Sequence, residues 1–315
     1  MGQPTALLKH TPRRRTHATP QTVGELVQHG AARFKAIRLK FGHGTTNAHD
    51  EAAYLALHAI KLPLAQLEAH LDLRPTPRQI ANVLMLFERR IKERKPAAYL
   101  TREAWLGEFR FYVDERAIVP RSYLAELLRD DLAPWIAKPE KVRTALDLCT
   151  GSGCLAVLLA HSFPRATIDA ADISREALKV ARRNVANYKL RHRIRLIASD
   201  LFAALAGRCY DLIVSNPPYV RTAIVRRLPR EHRHEPRLAL AGGRDGLDAV
   251  RIILSEAAAH LKPGGLLVVE VGHNRSRVER AFPRLAFTWP DTSGGDDCVF
   301  LLYREQLSGF NHPRS

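Results

Sequence analysis

Thr144-Ala145-Leu146-Asp147-Leu148-Cys149-Thr150-Gly151-Ser152-Gly153-Cys154-Leu155-Ala156 runs from an apolar stretch through a glycine turn into a second apolar stretch. Thr144–Cys149 has the length and near-continuous apolar character of a strand covered on both faces. The glycines let backbone approach a ligand closely, and the helix expected from Cys154 presents free N–H groups at its start. A nucleotide-like ligand is expected there. Downstream the alternation repeats, with strand candidates Thr167–Asp172, Ile194–Ser199, Asp211–Ser215 and Leu266–Val271 separated by helical stretches such as Cys154–Ser162, Ser174–Tyr188 and Leu247–Leu261. Such a text implies an α/β fold, a doubly wound and mostly parallel sheet with helices on both faces. Two last runs, Leu285–Trp289 and Val299–Tyr303, are joined by Ser293-Gly294-Gly295-Asp296-Asp297 with no helix between them. They predict an antiparallel C-terminal hairpin and bring the expected strand count to seven.

Acids mark the strand ends. Asp147 precedes the glycines, Asp172 ends the second strand 19 residues beyond Gly153, and Asp200 ends the third, followed by Leu201-Phe202. A carboxylate at the second strand end accepts from ribose hydroxyls, and one at the third, with its apolar neighbours, suits an adenine amino group. Three acids in this order are the pattern of S-adenosylmethionine enzymes, with Asp147 near the methionine amino group. Thr150, Gly151, Gly153, Ile173 and Leu201 complete the expected cofactor site. Gly151-Ser152-Gly153-Cys154-Leu155-Ala156 also fits G-x-G-x-x-A, so a dinucleotide-dependent oxidoreductase is an alternative.

Asn216-Pro217-Pro218-Tyr219 follows the fourth strand. Two consecutive prolines end strand pairing, because each lacks an N–H and locks φ. Asn216 is thereby held at a strand tip. Its amide oxygen and the Pro217 carbonyl are two acceptors in fixed geometry, suited to a planar –NH2 group. An oxidoreductase leaves this motif without a task.

Composition bounds the rest. The chain has 315 residues, long enough for two domains, and is 46% hydrophobic and 26% charged, as globular proteins are. No apolar run reaches the length of a spanning helix and no leader pattern opens at Met1, so a soluble, cytoplasmic protein without a membrane role is expected. Cys149, Cys154, Cys209 and Cys298 form no C-x-x-C pair, which argues against a metal site and reads as small buried thiols. A net charge of +17 points to a polyanionic neighbourhood such as ribosomal RNA. The basic residues gather in the first 40 positions and again at Arg221, Arg226, Arg227, Arg230, Arg233 and Arg237, directly after the Asn216 motif.

Asp147–Gly153, Asp172, Asp200 and Asn216-Pro217-Pro218-Tyr219, in this order, resemble the class I methyltransferases that modify planar amino groups. The resemblance is closest to the N(5)-glutamine protein methyltransferases and covers roughly residues 45 to 305, including Pro96–Thr101, Phe109–Ser122, His234-Glu235-Pro236, Gly242–Leu247 and Glu270-Val271-Gly272. Release-factor enzymes of this family typically read G-x-G at the first strand end and Arg-Pro-Glu-Thr after the hairpin. Here Cys149 and Val119-Pro120-Arg121-Ser122 stand instead, which resembles the branch acting on the third large-subunit ribosomal protein.

The resemblance implies methyl transfer from S-adenosylmethionine to a glutamine side-chain nitrogen, in support of ribosome assembly. Asn216, Pro217 and Tyr219 are then the expected catalytic residues, and Asn216 is expected to touch the cofactor as well. Pro218 joins them in holding substrate, and Glu235 either positions substrate or forms a structural salt bridge. A release-factor glutamine methyltransferase and a nucleic-acid amine methyltransferase are the alternatives. The expected domains are a flexible basic tail (1–22), a helical substrate-recognition domain (23–103) with one helix opened by Asp50-Glu51 and another capped by Thr76-Pro77, a β-hairpin linker (104–122) whose apolar runs flank Asp114-Glu115-Arg116, the methyltransferase domain (123–308) and a short tail (309–315).

Overall fold

The computed structural model describes residues 19–307. The expected basic tail, up to residue 18, and the expected 309–315 tail lie outside the described residues. The chain opens with helices α1 (Val23–Ala36), α2 (Ala48–Ile60), α3 (Pro77–Glu93) and α4 (Ala97–Thr101). Side chains set their starts: Thr22 and Glu25 form a capping box at α1, Asn47 accepts from Asp50 N at α2, and Thr76 with Gln79 boxes α3 behind Pro77. Gly30 lets α1 close onto α3, since a Cβ there would stand 2.6 Å from the Phe87 ring. Phe34 meets that ring edge-on at 5.4 Å.

A hairpin follows, β1 (Ala104–Leu106) with β2 (Phe109–Phe111), in antiparallel register Ala104 to Phe111. The sequence places the hairpin turn at Asp114-Glu115-Arg116, but the chain reverses at Gly107-Glu108, where Gly107 has φ +59 in open space. Glycine takes that left-handed turn at little cost, and the later segment has other partners. Asp114 Oδ1 accepts from Arg116 N and Nε, Tyr112 N donates to Asn184 Oδ1 (2.8 Å), and Val119 N donates to Glu235 Oε1 (3.1 Å). Residues 112–119 therefore take their partners from later parts of the chain, Asn184 and Glu235, instead of pairing.

After α5 (Leu124–Arg129) come β3 (Thr144–Leu148), α6 (Cys154–Ser162), β4 (Thr167–Asp172), α7 (Arg175–Asn187), β5 (Ile194–Ala198), β6 (Tyr210–Ser215), the short α8 (Thr222–Val225), α9 (Asp248–His260), β7 (Leu261–Glu270), α10 (Arg275–Ala281) and β8 (Val299–Tyr303). The sheet order is β5-β4-β3-β6-β7-β8, parallel throughout except for β8 against β7. This is the class I methyltransferase architecture, with six sheet strands among the described residues where seven are expected. Leu285–Trp289 contributes only one antiparallel bridge, Thr288 to Leu301. Pro283 and Pro290 bracket it and offer no N–H to lengthen the ladder, while Phe287 and Trp289 pin it by packing on Phe300. Of the cysteines, Cys154 and Cys298 are buried and Cys149 is half-buried, whereas Cys209 is exposed, against expectation, because it lies in the loop just before β6.

The strand order reverses at β3, whose neighbours β4 and β6 leave in opposite directions across the sheet. Leu148 sits level with Ala171 on one side and Ser215 on the other. The loops after β3, β4 and β6 thus meet at one edge, the crevice where open parallel sheets bind ligands.

Candidate active site

The loop after β3 is a left-handed turn, with Cys149, Gly151 and Gly153 all at positive φ. Two strand-end acids hold it. Asp147 is fully buried, accepts from Thr150 Oγ1 through Oδ2 (2.5 Å) and leaves Oδ1 without a partner; burial pushes its pKa up to about 7. Asp172 accepts from Gly151 N through Oδ2 and from Ser174 N through Oδ1, both at 2.8 Å. Burial raises its pKa as well, partly offset by those two amides. Gly153 permits close packing on α7: a Cβ there would stand 3.0 Å from Ala181 Cβ.

Asn216 stands where β6 stops. Its Nδ2 donates to the Arg121 carbonyl (3.4 Å), which leaves Oδ1 as the acceptor for a ligand. Two buried carboxylates hold the strap that carries Arg121. From one side Glu235 accepts from Val119 N (3.1 Å) and from both guanidinium nitrogens of Arg121 (2.5 and 2.8 Å). From the other Glu270, at the end of β7, accepts from Ser122 Oγ (2.5 Å) and Tyr123 N (3.0 Å) through Oε2, and from Tyr219 Oη (3.3 Å) through Oε1. Burial pushes Glu270 and Tyr219 up, the Glu270 charge adding to the effect on Tyr219.

Glycines cradle the rest of the motif. A Cβ on Gly242 would stand 2.4 Å from Pro218 O, and one on Gly272 2.7 Å from the Tyr219 ring. The loop at 240–243 also pairs with the motif, Val220 N donating to Leu240 O and Gly242 N to Val220 O, both at 2.9 Å.

These elements enclose a cavity of about 380 Å³, lined by Gly151, Asp172, Ile173, Asp200, Leu201 and the Asn216–Tyr219 segment. Its chemistry fits an adenosyl group with a cationic tail. Ile173 leaves 50% of its surface exposed beside the Asp172 carboxylate, an apolar face for a planar ring next to an acceptor for hydroxyls. The orphaned Asp147 Oδ1 is an acceptor of the right sign for an ammonium beneath the turn. A pyrophosphate is poorly served, because Gly151 N already donates to Asp172 and Gly153 N to Thr150 O.

A family described as the methyltransferase small domain matches residues 128–228. A protein of Neisseria meningitidis serogroup B named ribosomal protein uL3 glutamine methyltransferase is 57% identical over 288 residues, covering 91% of this chain and 95% of the relative. Proteins of the same name are 53% identical in Bordetella pertussis, covering 91% and 97%, and 46% identical in Bradyrhizobium diazoefficiens, covering 91% and 92%. The chain belongs to the ribosomal protein uL3 glutamine methyltransferases.

Within this family frame, the fold gathers at the cavity Gly151, Asp172, Ile173, Asp200, Leu201, Asn216, Pro217, Pro218 and Tyr219. Asp147, Thr150 and Gly153 lie behind the turn, outside the cavity lining, so Asp147 acts on a group in the cavity through its charge across the turn. Glu235 is off the cavity, with both oxygens committed to the strap. Three residues given no role from the sequence matter here: Arg121, Glu270 and Gly242. Glu270 carries a legible signal, since an acid closing the buried run Leu266–Val269 needs a partner.

Glu235 also joins the two halves of the molecule. Beside it, Glu231 accepts from Lys40 N (3.3 Å) and Arg94 Nη1 (2.9 Å), and His43 Nε2 lies 3.4 Å from Glu235 Oε2. Burial alone would raise the Glu235 pKa, but His43 and Arg121 outweigh it and hold it at about 2, from an ordinary 4.5. A depressed carboxylate adds stability that is fully present above its unfolded value and lost as pH falls through its folded one. Acid therefore loosens this junction between pH 4.5 and about 2. Glu235→Gln lowers stability at pH 7 by on the order of 3 kcal/mol and flattens the acid limb of a stability–pH curve. An unchanged limb in chemical-denaturation titrations contradicts this assignment.

Proposed function

We propose that this chain methylates the side-chain amide nitrogen of a glutamine in ribosomal protein uL3, with S-adenosylmethionine as methyl donor. The observation that carries this reading is Asn216, which lines the cavity beside Pro217 and whose Nδ2 is tied back to Arg121 O, so that Oδ1 is the group left to accept. A carboxamide nitrogen is a weak nucleophile because its lone pair is delocalised into the carbonyl. Asn216 Oδ1 and the Pro217 carbonyl each accept one N–H of the glutamine, which fixes the amide plane and favours positive charge developing on nitrogen. S-adenosylmethionine, when bound, supplies an electrophilic methyl group on a sulfonium sulfur. As nitrogen gains its bond to carbon, the carbon–sulfur bond breaks, and the acidified nitrogen afterwards loses one proton to water. Tyr219 borders the amide site and is held there by Glu270.

For the cofactor, Asp172 is assigned to the ribose hydroxyls, Ile173 and Leu201 to the ring faces, Asp200 to the ring amine and Asp147 to the ammonium, with Gly151 giving room at the turn. Asp172→Ala weakens S-adenosylmethionine binding by about 1.5–3 kcal/mol, the loss of hydrogen bonds to a charged acceptor. Calorimetry measures it, and a change of less than twofold in Kd removes Asp172 from the site. Residues 23–103 are assigned to substrate recognition, the basic surface to ribosomal RNA, and the protein to the cytoplasm.

The deciding experiment incubates the protein with labelled S-adenosylmethionine and, separately, uL3, a release factor and ribosomal RNA. One methyl group on one uL3 glutamine by mass spectrometry is the expected result. Label in the release factor or in nuclease-sensitive material instead overturns the reading.

A further inference from the structure

A second cavity, of about 470 Å³, opens on the far side of Asp248 from the cofactor cavity, and Asp248 lines both. Its walls are Arg221, Arg244, Arg251, Arg277, Asp245 and Asp248. The four guanidinium groups are not equivalent. Arg251 is neutralised by Asp245 and Asp248, and Arg277 Nη1 donates to Asn274 Oδ1 at 2.5 Å. Among the described residues, Arg221 and Arg244 have no acidic partner within salt-bridge distance, and Arg221 Nε is buried without a hydrogen-bond acceptor. An unpaired guanidinium N–H is costly, and an anion held between the Arg221 and Arg244 guanidinium groups that line the cavity offsets that cost. The first turn of α9, a 13-residue helix, borders the same cavity at Asp248 and adds its positive end.

We infer that this cavity binds a phosphate group of an RNA backbone, and that it is the entry point of the RNA contact proposed above. The inference rests on the reading of uL3 as substrate, because that places the enzyme beside ribosomal RNA. Phosphate matches the fork of a guanidinium with two parallel hydrogen bonds, and a chain of phosphates matches what leads away from the cavity. From Arg221 the segment carries Arg226, Arg227, Arg230, Arg233 and Arg237, all exposed. Arg233 Nε donates to the backbone at Leu228 O, which leaves its positive charge without an acidic partner among the described residues. Arg221, two residues beyond Tyr219, joins the cavity to this row in the chain, so a phosphate seated on Arg221 and Arg244 puts the next phosphates of the strand beside further arginines.

The test uses the full chain, a fluorescently labelled mixed-sequence single-stranded RNA and inorganic phosphate. RNA affinity is measured from about 50 to 200 mM salt for the wild type, Arg244→Gln and Arg221→Gln/Arg244→Gln. The slope of log K against log salt becomes shallower by about one for the single variant and about two for the double, as expected for lost phosphate contacts. Methylation of free uL3 is unchanged in Arg244→Gln, whose side chain is exposed and away from the amide site. Equal slopes for wild type and both variants overturn the inference. Thermal stabilisation of the wild type by inorganic phosphate, without RNA binding, also overturns it and assigns the cavity to free phosphate. Failure to methylate uL3 while the slope still falls leaves the RNA site standing and removes the substrate assignment instead.

Discussion

Asn216→Ala abolishes glutamine methylation, with kcat reduced by at least about 10³-fold, while the Kd for S-adenosylmethionine moves by less than about fivefold. The size follows from what one side chain does here. Oδ1 is one of two acceptors that orient a poor nucleophile, and nothing else at the strand tip replaces it, since Pro217 and Pro218 carry no polar side chain and Tyr219 Oη is turned to Glu270. Asn216→Asp separates orientation from mere presence of an oxygen. An aspartate has no N–H for the Arg121 carbonyl, so it turns from the strap, and its charge changes the preferred partner from an amide to a cation. Both variants are expected to be inactive and folded, measured by mass spectrometry of uL3 and by circular dichroism. If the alanine variant keeps more than a tenth of the activity, the acceptor role of Asn216 is wrong.

The second large effect comes from a residue with no functional group. Gly242→Ala places a methyl group 2.4 Å from Pro218 O and 2.8 Å from Tyr219 Cα, both of them backbone atoms. No flexible side chain can give way, so the Asn216–Tyr219 segment itself shifts. A displacement near 1 Å in a reacting geometry costs about 10²-fold in rate. The expected outcome is a fall in kcat of that order with KM for uL3 changed far less, and a stability loss of about 1–3 kcal/mol from overpacking. Gly264→Ala is the matched control. Gly264 has φ +72 and nothing within 4 Å of its would-be Cβ, so alanine there costs backbone strain of about 1–2 kcal/mol and leaves kcat alone. Equal activity in the two variants would mean that stability, not the seating of the motif, governs the rate.

These predictions divide the site into a part legible along the chain and a part that is not. Asp147, Asp172, Asp200 and Asn216 lie at, or within two residues of, the carboxyl ends of four strands of a parallel sheet, and strand ends on one side of such a sheet converge whatever the loops do. Their meeting follows from strand order alone. The family resemblance added the reacting group, because an acceptor pair suits any planar amine. The sequence puts the hairpin turn at Asp114-Glu115-Arg116 because this polar triplet separates two apolar runs. In the fold, partners 72 and 116 residues away, Asn184 and Glu235, occupy the flanking amides and prevent the strand from pairing. The seventh strand shrank for a local reason, two prolines, that was in plain view.

The sequence by itself determined the α/β alternation, the capped N-terminal helices, the cofactor turn and the Asn216 motif, since each is set by neighbours within a few residues. Only the tertiary structure decided what keeps the motif in place. Arg121 reaches Asn216 across 95 residues, Glu235 reaches Arg121 across 114, and Ser122 reaches Glu270 across 148. A carboxylate in a sequence does not state whether it will face ligand, solvent or a buried arginine. Glu235 and Glu270 become supports of the active site because folding removes water from them and offers only those partners in its place.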